Sequence, residues 1–305
     1  MEFFKKIPQI DFMGLQKWTA IFSITIFVAS IVSLCVYGLN LGLDFTGGVQ
    51  IELGFKQAAQ LDGIRSTLAT AGFDRAVVQS YGSSRDVQIT LPPPKSGDAK
   101  AVVDQVMQLL PNAELRRNDF IGPQVGKELT QKGILAVVVS MMLTMLYIMV
   151  RFEYRFAVSS TVALIHDPVL ILGVFSFFQL EFNLIVLAAL LAILGYSLND
   201  TVVVFDRVRE NFRKLRKSDP RDVMNLSINQ TLSRTTMTSG LTLIVVVALF
   251  LYGGETLRGF SLALIIGIVI GTYSSIYVAG SLAVLLGLNK EALMPREKAL
   301  VDDRP

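Results

Sequence analysis

Long apolar runs separated by short polar stretches dominate this chain. Six are long enough to matter: residues 18–38, 133–150, 156–178, 184–205, 237–252 and 259–287. A hydrocarbon layer of about 30 Å needs about 20 apolar residues at ~1.5 Å rise each. Lipid offers no hydrogen-bond partners, so each run must be a helix that satisfies its own backbone. The fifth run is short and is expected to begin earlier, inside a Thr-rich stretch. The first run is not expected to be a cleaved leader. It is too long, lacks a small-residue cleavage site, and leads through Asn40-Leu41-Gly42 into structured sequence.

Between the first and second runs the pattern changes. After Gly47-Gly48, residues 49–55 alternate as a strand does. Residues 57–71 carry helical spacing through Leu61, Ile64 and Leu68. Residues 76–80 and 86–91 read as two strands around a Gly-Ser turn, closed by Pro92-Pro93-Pro94. A second helix is expected over 99–110, with Val102, Val103, Val106, Leu109 and Leu110 apolar, and a last strand over 113–120. This β-α-β-β-α-β order is that of a ferredoxin-like split βαβ domain. The expected fold is therefore a polytopic α-helical membrane protein: six transmembrane helices with a small α+β domain between helices 1 and 2. The boundaries are a tail over 1–17, a span over 18–38, the domain over 39–131, and five spans within 132–287. A basic loop over 207–233 interrupts these spans, and a second tail covers 288–305. The domain has no His, no Cys and no obvious acid/base pair, so a binding or lever role fits it better than catalysis.

Composition agrees and adds an orientation. The chain is 52% hydrophobic and 17% charged, against about 25% charged in an ordinary soluble domain. Lys5, Lys6, Lys17, Arg151 and Arg155 lie on one side of the spans, as do Lys290, Arg296, Lys298 and Arg304. So does the most basic segment, with Arg207, Arg209, Arg213, Lys214, Arg216, Lys217 and Arg221. The opposite loops are nearly bare, with only Arg258 between the last two spans. The positive-inside rule then makes both termini cytoplasmic and residues 39–131 periplasmic. The net charge of +3 reflects this asymmetry, so no nucleic acid is implied. The basic segment is expected to rest on anionic headgroups of the lipid bilayer. Cys35 is the sole cysteine, which excludes an intramolecular disulfide and a cysteine-based metal site; it reads as a small packed hydrophobe.

Ionisable residues inside spans are costly and point to function. Asp200 lies in the fourth run, within Ser197-Leu198-Asn199-Asp200-Thr201, about 25 Å from its outer edge. A carboxylate held between desolvation and a cationic neighbour can load and release a proton; the alternative is a structural hydrogen bond between helices. Arg234 lies at a counted depth of about 28 Å in the fifth helix, so the two pair if their faces meet. Otherwise Arg234 is an anchor at the interface. Thr238 and Thr242 continue its face at helical spacing, to line a hydrated path or to hold helices together. His166, the only histidine, and Asp167 sit mid-span before Pro168, either on a proton path or stabilising a kink. Asp206 and Arg207 are expected at the interface, and Gly267-x-x-x-Gly271 is expected to permit close helix packing. No phosphate loop, nucleophile elbow or metal-ligand spacing occurs in the sequence. No cofactor, metal or covalent catalysis is expected, and any work must draw on a gradient or a partner.

Several blocks resemble one family. Leu41–Gly48 (LGLDFTGG), with Asp44, Gly47 and Gly48, resembles the signature that opens the extracytoplasmic domain of SecD/SecF proteins. Residues 195–211 (GYSLNDTVVVFDRVREN), 229–240 (NQTLSRTTMTSG), 250–260 (FLYGGETLRGF) and 271–276 (GTYSSI) are similar to its fourth, fifth and sixth spans. Ile121-Gly122-Pro123 fits the entry to the second. The resemblance covers the chain end to end and places it in the RND superfamily. It implies a partner, SecD, that supplies six further helices, and association with the SecYEG channel and accessory subunits such as YajC and YidC. It also implies use of the proton-motive force to assist preprotein export across the bacterial inner membrane. The important intramembrane pair implied is Asp200 and Arg234, with His166, Asp167, Asn199, Thr201, Thr238 and Thr242 around it. Pro168 and residues 279–281 depart from the family's usual run. The rivals are an RND-type small-molecule exporter half and a structural scaffold.

Overall fold

The computed structural model describes residues 7–94, 98–215 and 219–288. Residues 1–6 of the expected N-terminal tail, residues 289–305 of the expected C-terminal tail, and Arg216 and Lys217 lie outside the described residues. Among the described residues ten α-helices and six strands follow in order. They are α1 (Gln16–Val36), β1 (Asn40–Leu41), α2 (Leu43–Thr46), β2 (Gly48–Phe55), α3 (Leu61–Thr70), β3 (Val77–Tyr81), β4 (Ser83–Leu91) and α4 (Ala99–Leu109). Then come β5 (Ala113–Ile121), α5 (Pro123–Arg151), α6 (Tyr154–Phe177), β6 (Glu181–Phe182), α7 (Leu184–Lys214), α8 (Pro220–Tyr252), α9 (Glu255–Ser274) and α10 (Gly280–Leu285). A π-helical segment, Ser275–Ala279, joins the last two into one rod.

Among the described residues six helices are long and apolar enough to cross a membrane: α1, α5, α6, α7, α8 and the α9–α10 rod. They divide into an inner and an outer set. The most apolar windows of α6, α7 and α9–α10 are 61%, 50% and 44% buried, against 17%, 11% and 17% for α1, α5 and α8. The inner set therefore carries the packed polar groups, and the outer set turns Leu, Ile and Val outward, as lipid contact requires.

Several helices outrun their apolar runs. α5 begins at Pro123, where Pro at the first helical position lacks only an N–H that has no helical partner anyway. α7 runs on to Lys214, where Arg207–Glu210 and Glu210–Lys214 pairs line its polar end. The expected basic loop is thus mostly the facing ends of α7 and α8. α8 takes in the whole Thr-rich stretch as far back as Pro220. Cys35 is exposed on α1, contrary to the packed position expected. α6 runs unbroken through Pro168.

The extramembrane domain has four antiparallel strands in the order β3-β4-β2-β5. With α3 between β2 and β3, and α4 between β4 and β5, this is the interleaved βαβ pair expected. Alternation in β2 sends Val49, Ile51 and Leu53 against α3 and α4, and sends Gln50 and Glu52 to the other face. α3 starts at Leu61, four residues later than expected, because the segment before it hydrogen-bonds to the sheet through Ala59 N–H and the Ser84 carbonyl. The domain core is separate from the two apolar clusters among the membrane helices.

Candidate functional site

α7 packs against α6, α8 and α9, and its buried face carries Ser197, Asp200 and Thr201. Close approach of α9 comes from the Gly-x-x-x-Gly pair. A Cβ at Gly267 would collide with the Ile193 side chain, and one at Gly271 would lie 3.1 Å from Ser197 Cβ. Small residues here let backbones meet and bring hydroxyls within reach.

Two polar clusters result. Asp167, 1% exposed, accepts from Ser197 Oγ at 2.6 Å and Ser274 Oγ at 2.8 Å, and pairs with His166 Nδ1 at 3.0 Å. An ionised carboxylate only accepts, so in that state the imidazole proton sits on Nδ1. The His166 ring stacks on Phe27 of α1 at 5.9 Å, and its buried Nε2 has no partner among the described residues. Asp200, 3% exposed, has a sparser setting: Ser239 Oγ donates to Oδ2 at 3.4 Å and is itself 3.0 Å from Thr272 Oγ1. Thr201, next to Asp200 in sequence, turns toward the Ser197 side, its hydroxyl 2.9 Å from Ser275 Oγ, which donates to the Ser197 carbonyl at 3.3 Å. Ser275 opens the π-helical segment, the kind of local irregularity that gathers at functional sites.

The remaining expected residues divide. Arg234 is exposed and makes no ion pair with Asp200. Depth counting set these two level, yet Asp200 meets Ser239, five residues and about 7.5 Å farther along α8. Thr238 and Thr242 donate to carbonyls of their own helix, at 3.1 Å to Arg234 and 2.8 Å to Thr238. Asn199 faces away from Asp200 into an open groove between α5 and α7 with Leu143, Thr144 and Tyr147. Arg151 pairs with Asp206 at 3.6 Å near the ends of α5 and α7. Ser197, Ser239, Thr272, Ser274 and Ser275 were not singled out. Their signal was hydroxyl residues at helical spacing inside apolar runs, notably Ser197 three residues before Asp200.

Asp44, Gly47 and Gly48 lie at the domain end of the bundle, apart from both clusters. Beside them a cleft of about 600 Å³ separates the polar sheet face from the helix ends. Gln50, Glu52, Gln88 and Arg117 line one wall, and Glu181, Glu255 and Arg258 the other. Burial pushes the Glu52 carboxyl above its ordinary value. Arg117 pulls it back in part, and Asp119 adds to the rise.

Residues 101–289 match the family described as protein export membrane protein SecD/SecF, C-terminal, and residues 32–59 match the SecD/SecF GG motif. The chain is 50% identical to the protein translocase subunit SecF of Vibrio alginolyticus over 97% of each chain. It is 46% identical to that of Pseudomonas aeruginosa, covering 98% of this chain and 99% of that one. Among solved structures it is similar to SecDF, a translocon-associated membrane protein from Thermus thermophilus. The TM-score is 0.83 at 36% identity over 92% of this chain. A super-membrane-facing form of SecDF gives a TM-score of 0.69 at the same identity and coverage. The chain spans 39% of the length of those solved chains and nearly all of the SecF subunits. The chain belongs to the SecD/SecF family of protein-export membrane proteins.

Proposed function

We propose that this chain is a SecF-type subunit of the Sec preprotein translocase, and that with SecD it uses the proton-motive force to assist export through SecYEG. The termini are cytoplasmic and the β-sheet domain is periplasmic in the bacterial inner membrane. YajC, YidC and emerging preprotein are the further partners. On this reading the work comes from proton movement, without a covalent step or cofactor.

The observation that carries the reading is the contrast between two buried aspartates. Asp167 is fully engaged, with two serine hydroxyls and an imidazole on its two oxygens. Asp200 has one long hydrogen bond, at 3.4 Å. A buried carboxylate is costly unless it is paired or takes up a proton. Asp200 is therefore the group that cycles, and Asp167 the clamp joining α6, α7 and α9. Arg234 stands off from the carboxylate, exposed and without an ion pair to it. His166 orients Asp167 and stacks on α1. Each protonation of Asp200 changes what α7 and α8 hold between them, and the helices rearrange in response.

Gradient-dependent export in inverted membrane vesicles tests the reading. Asp200→Asn is expected to abolish the dependence on the proton gradient while leaving the chain assembled with SecD. Export that keeps its full gradient dependence in that variant would sink the proposal and favour a scaffold.

A further inference from the structure

The Leu41–Gly48 segment touches the membrane helices and the sheet at the same time. Asn40 and Leu41 pair in parallel with Glu181 and Phe182, the strand just before α7. Gly42 N–H donates to the Phe182 carbonyl at 2.9 Å, and the Phe45 ring stacks on Phe182 at 5.8 Å. Asp44 Oδ2 then accepts the Leu184 N–H at 2.9 Å, and Leu184 is the first residue of α7. The same few residues seat α5: a Cβ on Gly126 would lie 2.9 Å from Gly47 N, leaving no room for one. Gly47 itself, at φ +66, lies against the Ile121 carbonyl and Pro123, where β5 turns into α5. Gly48, at φ +131, opens the central strand β2 directly under the Leu91 carbonyl, which a Cβ would strike.

The polar sheet face of the domain is held more loosely. Across the cleft the contacts are Gln79 to Glu181 at 3.4 Å, Gln88 to Glu181 at 3.3 Å and Tyr81 to Thr256 at 3.4 Å. A tight backbone stem, with only long side-chain contacts from the sheet face to Glu181 and Thr256, is the geometry of a pivot. α7 links the stem to Asp200, sixteen residues and about 24 Å from Leu184 along one unbroken helix.

We propose that this glycine-rich segment is the transmission element of the machine. Through the Asp44–Leu184 hydrogen bond it couples axial movement of the Asp200 helix to rotation of the β-sheet domain, and Asp44 is its positioning residue. The inference rests on Asp200 being the group that cycles.

The test is a cycle of variants in the full chain assembled with SecD, with Cys35→Ser as background. Spin labels go on cysteines placed at Ala69 on α3 and Tyr252 at the end of α8, both exposed. Their distance is measured with Asp200 present and with Asp200→Asn. The substitution at 200 is expected to displace the distance distribution when residue 44 is Asp. The same holds for Asp44→Asn, whose side-chain carbonyl still accepts the N–H. The displacement is expected to vanish in Asp44→Ala and in Leu184→Pro. The proline keeps Asp44 but removes the donor at a helix position that tolerates it, and Asn183 before it is already extended at φ −115, ψ −178. If Asp44→Ala fails to assemble, Leu184→Pro decides alone. An undiminished displacement in Leu184→Pro would overturn the transmission role. No displacement in the chain with Asp44 intact would instead overturn the reading of Asp200.

Discussion

Replacing Asp167 separates a clamp from a carrier. Asp167→Ala removes the acceptor shared by Ser197 of α7 and Ser274 of α9, bonds of 2.6 and 2.8 Å that tie three helices together. Interhelical hydrogen bonds among membrane helices are worth about 0.6 kcal/mol on average and up to about 1.7. Two of them put the expected loss at about 1–3 kcal/mol. Ser274 softens it, because its hydroxyl already reaches the Gly271 carbonyl at 3.2 Å and falls back on that bond. Asp167→Asn behaves differently. Its amide oxygen still accepts from both serines, and the imidazole changes tautomer to accept from the amide at Nδ1. The expected loss is below about 1 kcal/mol. The assay is unfolding of the purified chain with SecD, read beside gradient-dependent export in vesicles. Asp167→Asn should stay near wild type in both, and Asp167→Ala should fall in stability first. A stable Asp167→Asn chain with no gradient-dependent export would refute the assignment and make Asp167 a proton carrier.

Three further outcomes follow from the domain and its stem. Gly48→Ala should destabilise the domain strongly, since the added Cβ meets the Leu91 carbonyl at φ +131, while Gly122→Ala, with open space around it, should be neutral; protease resistance of the domain in the intact chain ranks them. Ile51→Ala, fully buried at the sheet centre, should cost the domain about 2–5 kcal/mol and leave the spans folded, because the domain core is separate; limited proteolysis that cuts spans and domain together would contradict this. Glu52 has a raised pKa through burial, so the folded domain holds its proton above the ordinary carboxylate value and its stability falls as pH rises through that window. Thermal unfolding of the chain across the acid range should show that slope, and Glu52→Gln should flatten it.

Much of this architecture is legible in one dimension. The strand–helix order of the domain came from alternation and spacing, and the sheet order β3-β4-β2-β5 agrees with it. The partner of Asp200 did not follow in the same way. Counting residues from the helix ends gives depth on the assumption of parallel, level helices. Packing offsets α8 against α7, so Ser239 takes the place that counting assigned to Arg234. Counting also says nothing of rotation, which turns Asn199 outward, one residue from the buried Asp200. The hydroxyls around Asp167 were hidden for a related reason. Ser and Thr inside an apolar run commonly bond their own helix, as Thr238 and Thr242 do, and only a facing carboxylate marks the exceptions.

What the sequence determined by itself was the set of elements: six spans, because hydrocarbon admits only self-satisfied helices, and one βαββαβ domain, because its apolar positions alternate or recur at helical spacing. It also exposed the buried carboxylates, since charge inside a span cannot be incidental. Tertiary structure alone decided which three helices form the interior, since spans apolar on every side carry little sign of their inner face. It decided that Asp167 is saturated while Asp200 keeps one long bond. And it joined Asp44 to the first turn of α7, a contact between residues 140 positions apart that no local pattern encodes.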